Sequence, residues 1–192
     1  MSKTDKPDPW RVPVAVAQIP ETGLHRDIEA DQAVRDAVAN VGGLREVLSA
    51  QAAFDVTPQS GGRFHVAGHV RARIGQTCVV TLEEIENDID EPVDLIFAPP
   101  EQIPQMAALV DEAEEGDEDV PDPPEPIENG MIDLGRVATD ALLLAVDPYP
   151  RKAGAVFEPV VEANDPEDHP FAALKALKAE PKKSGSRKPK GK

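Results

Sequence analysis

The stretch Phe64–Ile74 constrains this chain more than any other. Phe64, Val66, Gly68, Val70, Ala72 and Ile74 occupy alternate positions, with Arg63, His65, Ala67, His69, Arg71 and Arg73 around and between them. A period of two puts the first set on one face of a β-strand and the second on the other. One apolar and one cationic face describe an antiparallel sheet packed on one side and wet on the other. A second alternation follows Gly75–Val80, with Ile85, Ile89, Val93, Leu95 and Phe97 on odd positions and Glu84, Glu86, Asp88 and Asp90 on even ones. Outward residues are odd on the first strand and even on the second. The two strands therefore pair only where paired numbers sum to an odd value, which demands an even-length connection. The register that sets Arg73 opposite Glu84 and Arg71 opposite Glu86 gains ~0.2–1 kcal/mol for each opposed charge pair.

The remaining patterns supply partners for this hairpin. Leu44, Leu48, Ala50, Ala52, Phe54 and Val56 share one face over 44–56, interrupted by Glu46, and read as a further strand. Val12–Ile19 is apolar and carries Pro13, with Pro20 after it, which suits an edge strand. Asp31–Ala39 predicts a short helix stopped near Gly42-Gly43. Leu134, Val137, Ala138, Ala141, Leu142 and Ala145 follow the spacing of an amphipathic helix over 133–146. Asp133 suits its N-cap, Ile132 and Val137 are spaced as a hydrophobic staple, and Pro148 stops it. A short helix at Pro170–Ala179 starts on a proline. The expected fold class is α+β: an antiparallel β-sheet, open or barrel-like, with a packed amphipathic helix.

Charge is divided unevenly. Asp111–Glu128 holds ten Asp/Glu, four Pro and no basic residue, too little apolar content to offset the entropy of ordering. Residues 182–192 are a Lys-rich low-complexity run. From Ala172 to Lys192 there are eight Lys/Arg and one Glu, a formal +7; with the chain at −16, the rest carries −23. The expected organisation is a disordered N-terminus (1–9) and a single domain (10–165) with a disordered acidic insertion (111–128). A short helix lies within 166–180 and a basic disordered tail covers 181–192. The body repels nucleic acid and the tail attracts it.

Several classes of chemistry lack their residues. No apolar run approaches the ~18–20 residues of a membrane span, and the N-terminus lacks the apolar core of a secretory signal. A single cysteine, Cys78, fits a reducing cytoplasm and cannot form an internal disulfide. It lies among Val79, Val80 and Leu82 and reads as a small buried hydrophobe rather than a reactive thiol. Gly42-Gly43 and Gly61-Gly62 are isolated turn pairs, not a phosphate loop. His65 and His69 are four apart on a strand, which is not the helical spacing of a metal pair. Neither a metal nor a cofactor is expected. Two basic features are candidate contacts for nucleic-acid phosphates: the row Arg63, Arg71 and Arg73, and the tail residues Lys182, Lys183, Arg187, Lys188, Lys190 and Lys192. The alternative for the row is pairing with Glu84 and Glu86; for the tail it is solubility alone.

Gly68-His-Val-Arg-Ala-Arg-Ile-Gly-Gln-Thr-Cys78-Val-Val-Thr-Leu82-Glu-Glu resembles the central motif of the YceD family, described as large ribosomal RNA subunit accumulation proteins. Ile132-Asp-Leu-Gly-Arg-Val-Ala-Thr-Asp-Ala-Leu-Leu-Leu-Ala145 with Asp147-Pro-Tyr-Pro150 is similar to that family's second block, which contains Asp133 and Leu134. Pro170-Phe-Ala-Ala-Leu-Lys-Ala-Leu-Lys178 resembles its C-terminal signature. The resemblance runs from about Trp10 to Lys178, in the form typical of alphaproteobacteria. Many relatives carry C-x-x-C at the turn and further cysteines after the second block. Here Cys78 keeps the first position, Thr81 stands at the second, and no cysteine follows Pro150, so a metal clip is not carried over.

The resemblance implies a cytoplasmic, non-enzymatic role in accumulation or processing of 23S ribosomal RNA and in large-subunit assembly. The implied partner is a large-subunit precursor, through 23S RNA, a basic ribosomal protein or both, with no membrane and no DNA. The alternative is an acidic chaperone for one basic ribosomal protein, without RNA contact. A processing nuclease is disfavoured, because carboxylates on a loop or a regular strand face do not hold two metals at fixed separation.

Overall fold

Three long strands organise the computed structural model, which describes residues 8–103 and 123–157. In chain order the elements are β1 (Pro13–Ala15), β2 (Leu24–Glu29), α1 (Gln32–Gly42), β3 (Glu46–Gln59), β4 (Arg63–Thr77), β5 (Glu84–Ala98), β6 (Glu125–Pro126), β7 (Met131–Asp133) and α2 (Leu134–Leu144). The main sheet has the order β2-β3-β4-β5-β6, antiparallel apart from the β5–β6 pair, and β1 pairs with β7 in a separate ribbon. Among the described residues this sheet does not close into a barrel, so the open form of the α+β class is the one present. The described residues up to Val156 belong to one compact unit, and a second begins at Phe157.

The face of β4 expected to be apolar points inward. Val66, Val70, Ala72 and Ile74 are buried together with Ala50, Ala52, Phe54 and Val56 of β3 and Ile89, Val93 and Phe97 of β5. β4 and β5 pair with Arg71 opposite Asp90 and Arg73 opposite Asp88. The odd parity is as expected, but the register lies four positions from the one that set Arg73 opposite Glu84. That register leaves a two-residue turn, whereas the chain spends Cys78–Glu83 on the connection. Within it Leu82 N–H donates to Cys78 O (2.9 Å) and Cys78 N–H to Glu83 O (2.8 Å).

Two further expectations are corrected. A bulge between Val47 and Ser49 inserts Leu48 as an extra residue in β3, which switches the inward set from odd to even positions. Val47 is therefore buried and Leu48 is 38% exposed, opposite to the uninterrupted alternation. Glu125–Glu128, read as the end of the acidic disordered insertion, is built into the fold: Glu125 and Pro126 pair with Phe97 and Ala98, and Ile127 is buried. Strand β2 was not anticipated, because its sequence has only Ile28 buried among charged neighbours. Of Val12–Ile19 only Pro13–Ala15 is strand, followed by a single helical turn. Most of the N-terminal segment 1–9, most of the acidic insertion, the helix expected at 170–179 and the basic tail lie outside the described residues.

Two helices and the β1–β7 ribbon accompany the sheet. Asp31 caps α1 by accepting from Val34 N–H (2.9 Å), and Gly43 ends it in the left-handed conformation (φ 62°). Asp133 caps α2 through Gly135 N–H (3.1 Å) and Arg136 N–H (3.3 Å). The same Asp133 carboxylate accepts from Val12 N–H (2.8 Å), tying the helix start to the strand before it. Leu134, Val137, Ala138 and Leu142 are buried as the helical spacing required.

Gly68 leaves room for the neighbouring β3 backbone: a Cβ there would overlap the carbonyl oxygen of Ala53. Leu142→Ala is expected to cost about 2–5 kcal/mol and Gly68→Ala about 1–3 kcal/mol, both read by chemical denaturation. A Leu142→Ala change below about 0.5 kcal/mol would mean that α2 does not pack on this core.

Candidate functional site

The solvent face of the sheet carries the basic row, and most of its cations face carboxylates. Arg71 Nε donates to Asp90 (3.1 Å), directly opposite, and Arg73 reaches diagonally to Glu86 (2.6 Å). Arg45 pairs with Glu84. His65 contacts Asp94 (2.8 Å), His69 contacts Asp90 (3.2 Å) and His25 contacts Asp55 (2.7 Å). The hydrogen bond to Asp55 holds His25 above the usual histidine range, and the Arg71 guanidinium holds Asp90 below the usual carboxylate range. Arg63 instead donates to Ser60 O (3.1 Å), across the β3–β4 turn. Neither expected pair forms: Glu86 meets Arg73 rather than Arg71, and Glu84 meets Arg45. Arg71 takes Asp90, so Arg71 and Arg73 are paired with carboxylates but in a different register. Such exposed pairs contribute little to stability, because solvent screens them. Lys182, Lys183, Arg187, Lys188, Lys190 and Lys192 lie outside the described residues.

At the far end of β4, the Cys78 turn is fastened to the chain after α2. Cys78 is fully buried, and its sulfur accepts from Thr81 N–H (3.4 Å) and Lys152 N–H (3.3 Å). Val79 N–H donates to Pro150 O (2.9 Å), and Lys152 Nζ reaches both Glu83 oxygens at 3.1 Å. Thr81 and Leu82 complete the turn, Leu82 in the left-handed region (φ 60°) with its side chain 77% exposed. Donation from the Lys152 N–H and from the Thr81 hydroxyl and N–H outweighs the opposing effect of burial and lowers the thiol to about 6. Sequence reasoning placed Cys78 inside but had no signal for its bond to Lys152, which lies 74 residues away. Among the described residues, no three His, Cys, Asp or Glu side chains converge as a metal-ligand set.

A concavity between α2 and β5 was not foreseen. This groove of about 540 Å³ is also lined by residues around Arg11 and Glu128. Val93, Leu95 and Phe97 from β5 and Val137, Ala141 and Leu144 from α2 line it, while Asp8, Glu91, Asp94, Glu125, Glu128, Asp133 and Asp140 surround it with only Arg11 and Arg136. Arg136 is shared between Glu128 (3.4 Å) and Asp140 (3.7 Å). Loss of solvent pushes the Asp140 carboxyl above the usual range, Arg136 opposes this and Asp8 adds to it. These carboxylates come from four separate stretches of chain, so no local spacing revealed them. Leu144, outside the core stripe of α2, is 86% exposed at the end of the groove.

The described residues thus combine an open sheet with paired charges on its exposed face, a tethered turn and an acidic groove. Residues 66–178 match the family model described as large ribosomal RNA subunit accumulation protein YceD, and the chain belongs to the YceD family. No curated protein and no solved structure matches it significantly. The family description connects the chain to accumulation of large-subunit ribosomal RNA. Among the described residues no helix is long and apolar enough to cross a membrane.

The thiol near 6 has a consequence for stability. A free cysteine titrates near 8.5, so folding lowers the value, and the thiolate's contribution is complete above the unfolded value and lost as pH falls through the folded one. The stability difference between the natural protein and Cys78→Ser is therefore expected to widen from about pH 6 to about pH 8.5. Paired thermal melts across that range measure it, and a constant difference means that the thiol stays protonated.

Proposed function

We propose that this protein is a non-enzymatic factor in large-subunit assembly that takes hold of a basic ribosomal protein through its acidic body. Its Lys-rich segment 182–192 contacts precursor 23S ribosomal RNA. The observation that carries this reading is the charge balance of the described surface: 21 Asp/Glu against 10 Lys/Arg, with Arg71 and Arg73 already spent on carboxylates. A body so composed repels an RNA backbone and attracts a cationic protein. Accumulation of ribosomal RNA follows if a protein that protects the RNA is delivered in soluble form. The family description supports the ribosomal setting; the choice of a protein client over bare RNA rests on the electrostatics.

Two measurements test the two halves. Sedimentation of the tagged full chain with large-subunit precursors, before and after RNase, separates the partners. Retention of a basic ribosomal protein after RNase supports the protein client, and complete release opposes it. For the tail, affinity for single-stranded precursor RNA is expected to fall with log salt at about −0.7 per phosphate contact, so roughly −4 for six cations. Deleting residues 181–192 is expected to flatten that slope and leave the melting temperature unchanged. An unchanged slope makes the tail a bystander.

A further inference from the structure

We infer that the groove between α2 and β5 is a docking site for a short, extended, lysine- or arginine-rich protein segment that also carries apolar side chains. This deepens the reading of a basic protein client, on which it rests, by giving the client's binding segment a place and a composition.

The geometry sets the length. An eleven-residue helix such as α2 is ~16 Å long, which matches about five residues of extended chain at ~3.3 Å each. The floor sets the apolar part. Leu144 stands 86% exposed beside the half-buried Leu95 and Ala141, and Met131 is 44% exposed on the same lining. A leucine or phenylalanine laid along this stripe removes exposed apolar surface from water on both partners. The rim sets the charge. Asp133 is occupied by helix capping and Arg11, and Arg136 is divided between Glu128 and Asp140. Asp8, Glu91 and Glu125 add further negative charge around the same hollow, while Asp94 at its edge is already paired with His65.

Other occupants fit less well. A nucleic acid meets this rim with like charge, a neutral apolar peptide leaves the carboxylates without use, and no ligand set for a cation is assembled among the described residues. A segment with cations flanking one or two apolar side chains satisfies floor and rim together, because the cations align on the carboxylates while the apolar groups lie on the Leu95–Leu144 stripe.

The test uses the full chain and three labelled probes. One is a nine-residue peptide of lysines and arginines with two leucines; the second has serine in place of both leucines; the third is a single-stranded RNA of matched length. The double variant Glu128→Gln/Asp140→Asn is expected to weaken the leucine peptide about tenfold at low salt. Leu144→Ser, at an exposed position whose change leaves the fold intact, is expected to weaken it about threefold and to leave the serine peptide unaffected. Asp88→Asn, on the far side of the sheet, serves as the control and is expected to change nothing.

Equal binding of the leucine and serine peptides, or equal loss in the Asp88 control, overturns the groove as the site. Displacement of the peptide by the RNA probe overturns it too. If the groove variants bind the leucine peptide normally while the natural protein still retains a basic ribosomal protein after RNase, the groove inference fails and the broader reading stands. If the natural protein binds neither, both fall.

Discussion

One face of three strands of 14, 15 and 15 residues must be kept from water, and the rest of the molecule is arranged around that requirement. Such strands extend ~50 Å, while each helix of this chain covers ~16 Å. No single element spans the face. The chain meets the demand in sections, with α1 against β3, α2 across β4 and β5, and the N-terminal stretch with Trp10 buried beside the start of α2. Asp133 joins these sections, since one carboxylate oxygen serves the helix cap and the Val12 amide together. The core is aliphatic because only 4% of residues are aromatic, so it depends on many small contacts rather than a few large side chains.

How much of this was legible follows from the range over which each determinant acts. The strands at Phe64–Ile74 and Ile85–Phe97 were readable because alternation is local, and their parity was readable because it depends only on odd and even positions. The register itself was not, because it depends on how many residues the turn consumes. The turn that consumes them is closed by Cys78–Leu82 and Cys78–Glu83 hydrogen bonds and held by Lys152, far along the chain. Leu48 was misplaced because a bulge changes the phase without changing the composition. β2 was missed because an edge strand wet on one face needs few apolar residues, and Ile28 alone gives no period. The helix 134–144 and its Asp133 cap were visible because a cap and an amphipathic stripe both act within a few residues. Of the candidate site, the cationic row was visible and its neutralisation was weighed in advance. The groove was invisible, since its walls are built from stretches that meet only in the fold.

The family match begins at Val66, inside β4, and includes the Cys78 turn, β5 and α2. The matched region thus contains both walls of the groove and the turn that fixes the β4–β5 register. The exposed sheet face and the groove present different electrostatic characters. On the sheet, cations and carboxylates alternate and cancel at short range. Around the groove carboxylates accumulate beside apolar surface, where solvent screening is weaker. A partner choosing by charge senses the second surface more strongly than the first.

The enclosure of Cys78 gives the molecule a built-in gauge. Its sulfur is shielded from solvent by the same strap, Pro150–Lys152, that holds the turn in place, and no other cysteine competes for a reagent. Lifting the strap also withdraws the Lys152 N–H donor, so the uncovered thiol reacts as an ordinary exposed cysteine. Its modification rate is then governed by how often the strap lifts, which converts a slow chemical reaction into a readout of local opening free energy. The segment after α2 can therefore be monitored in the unaltered chain, alone or with a partner bound, without introducing any foreign label site.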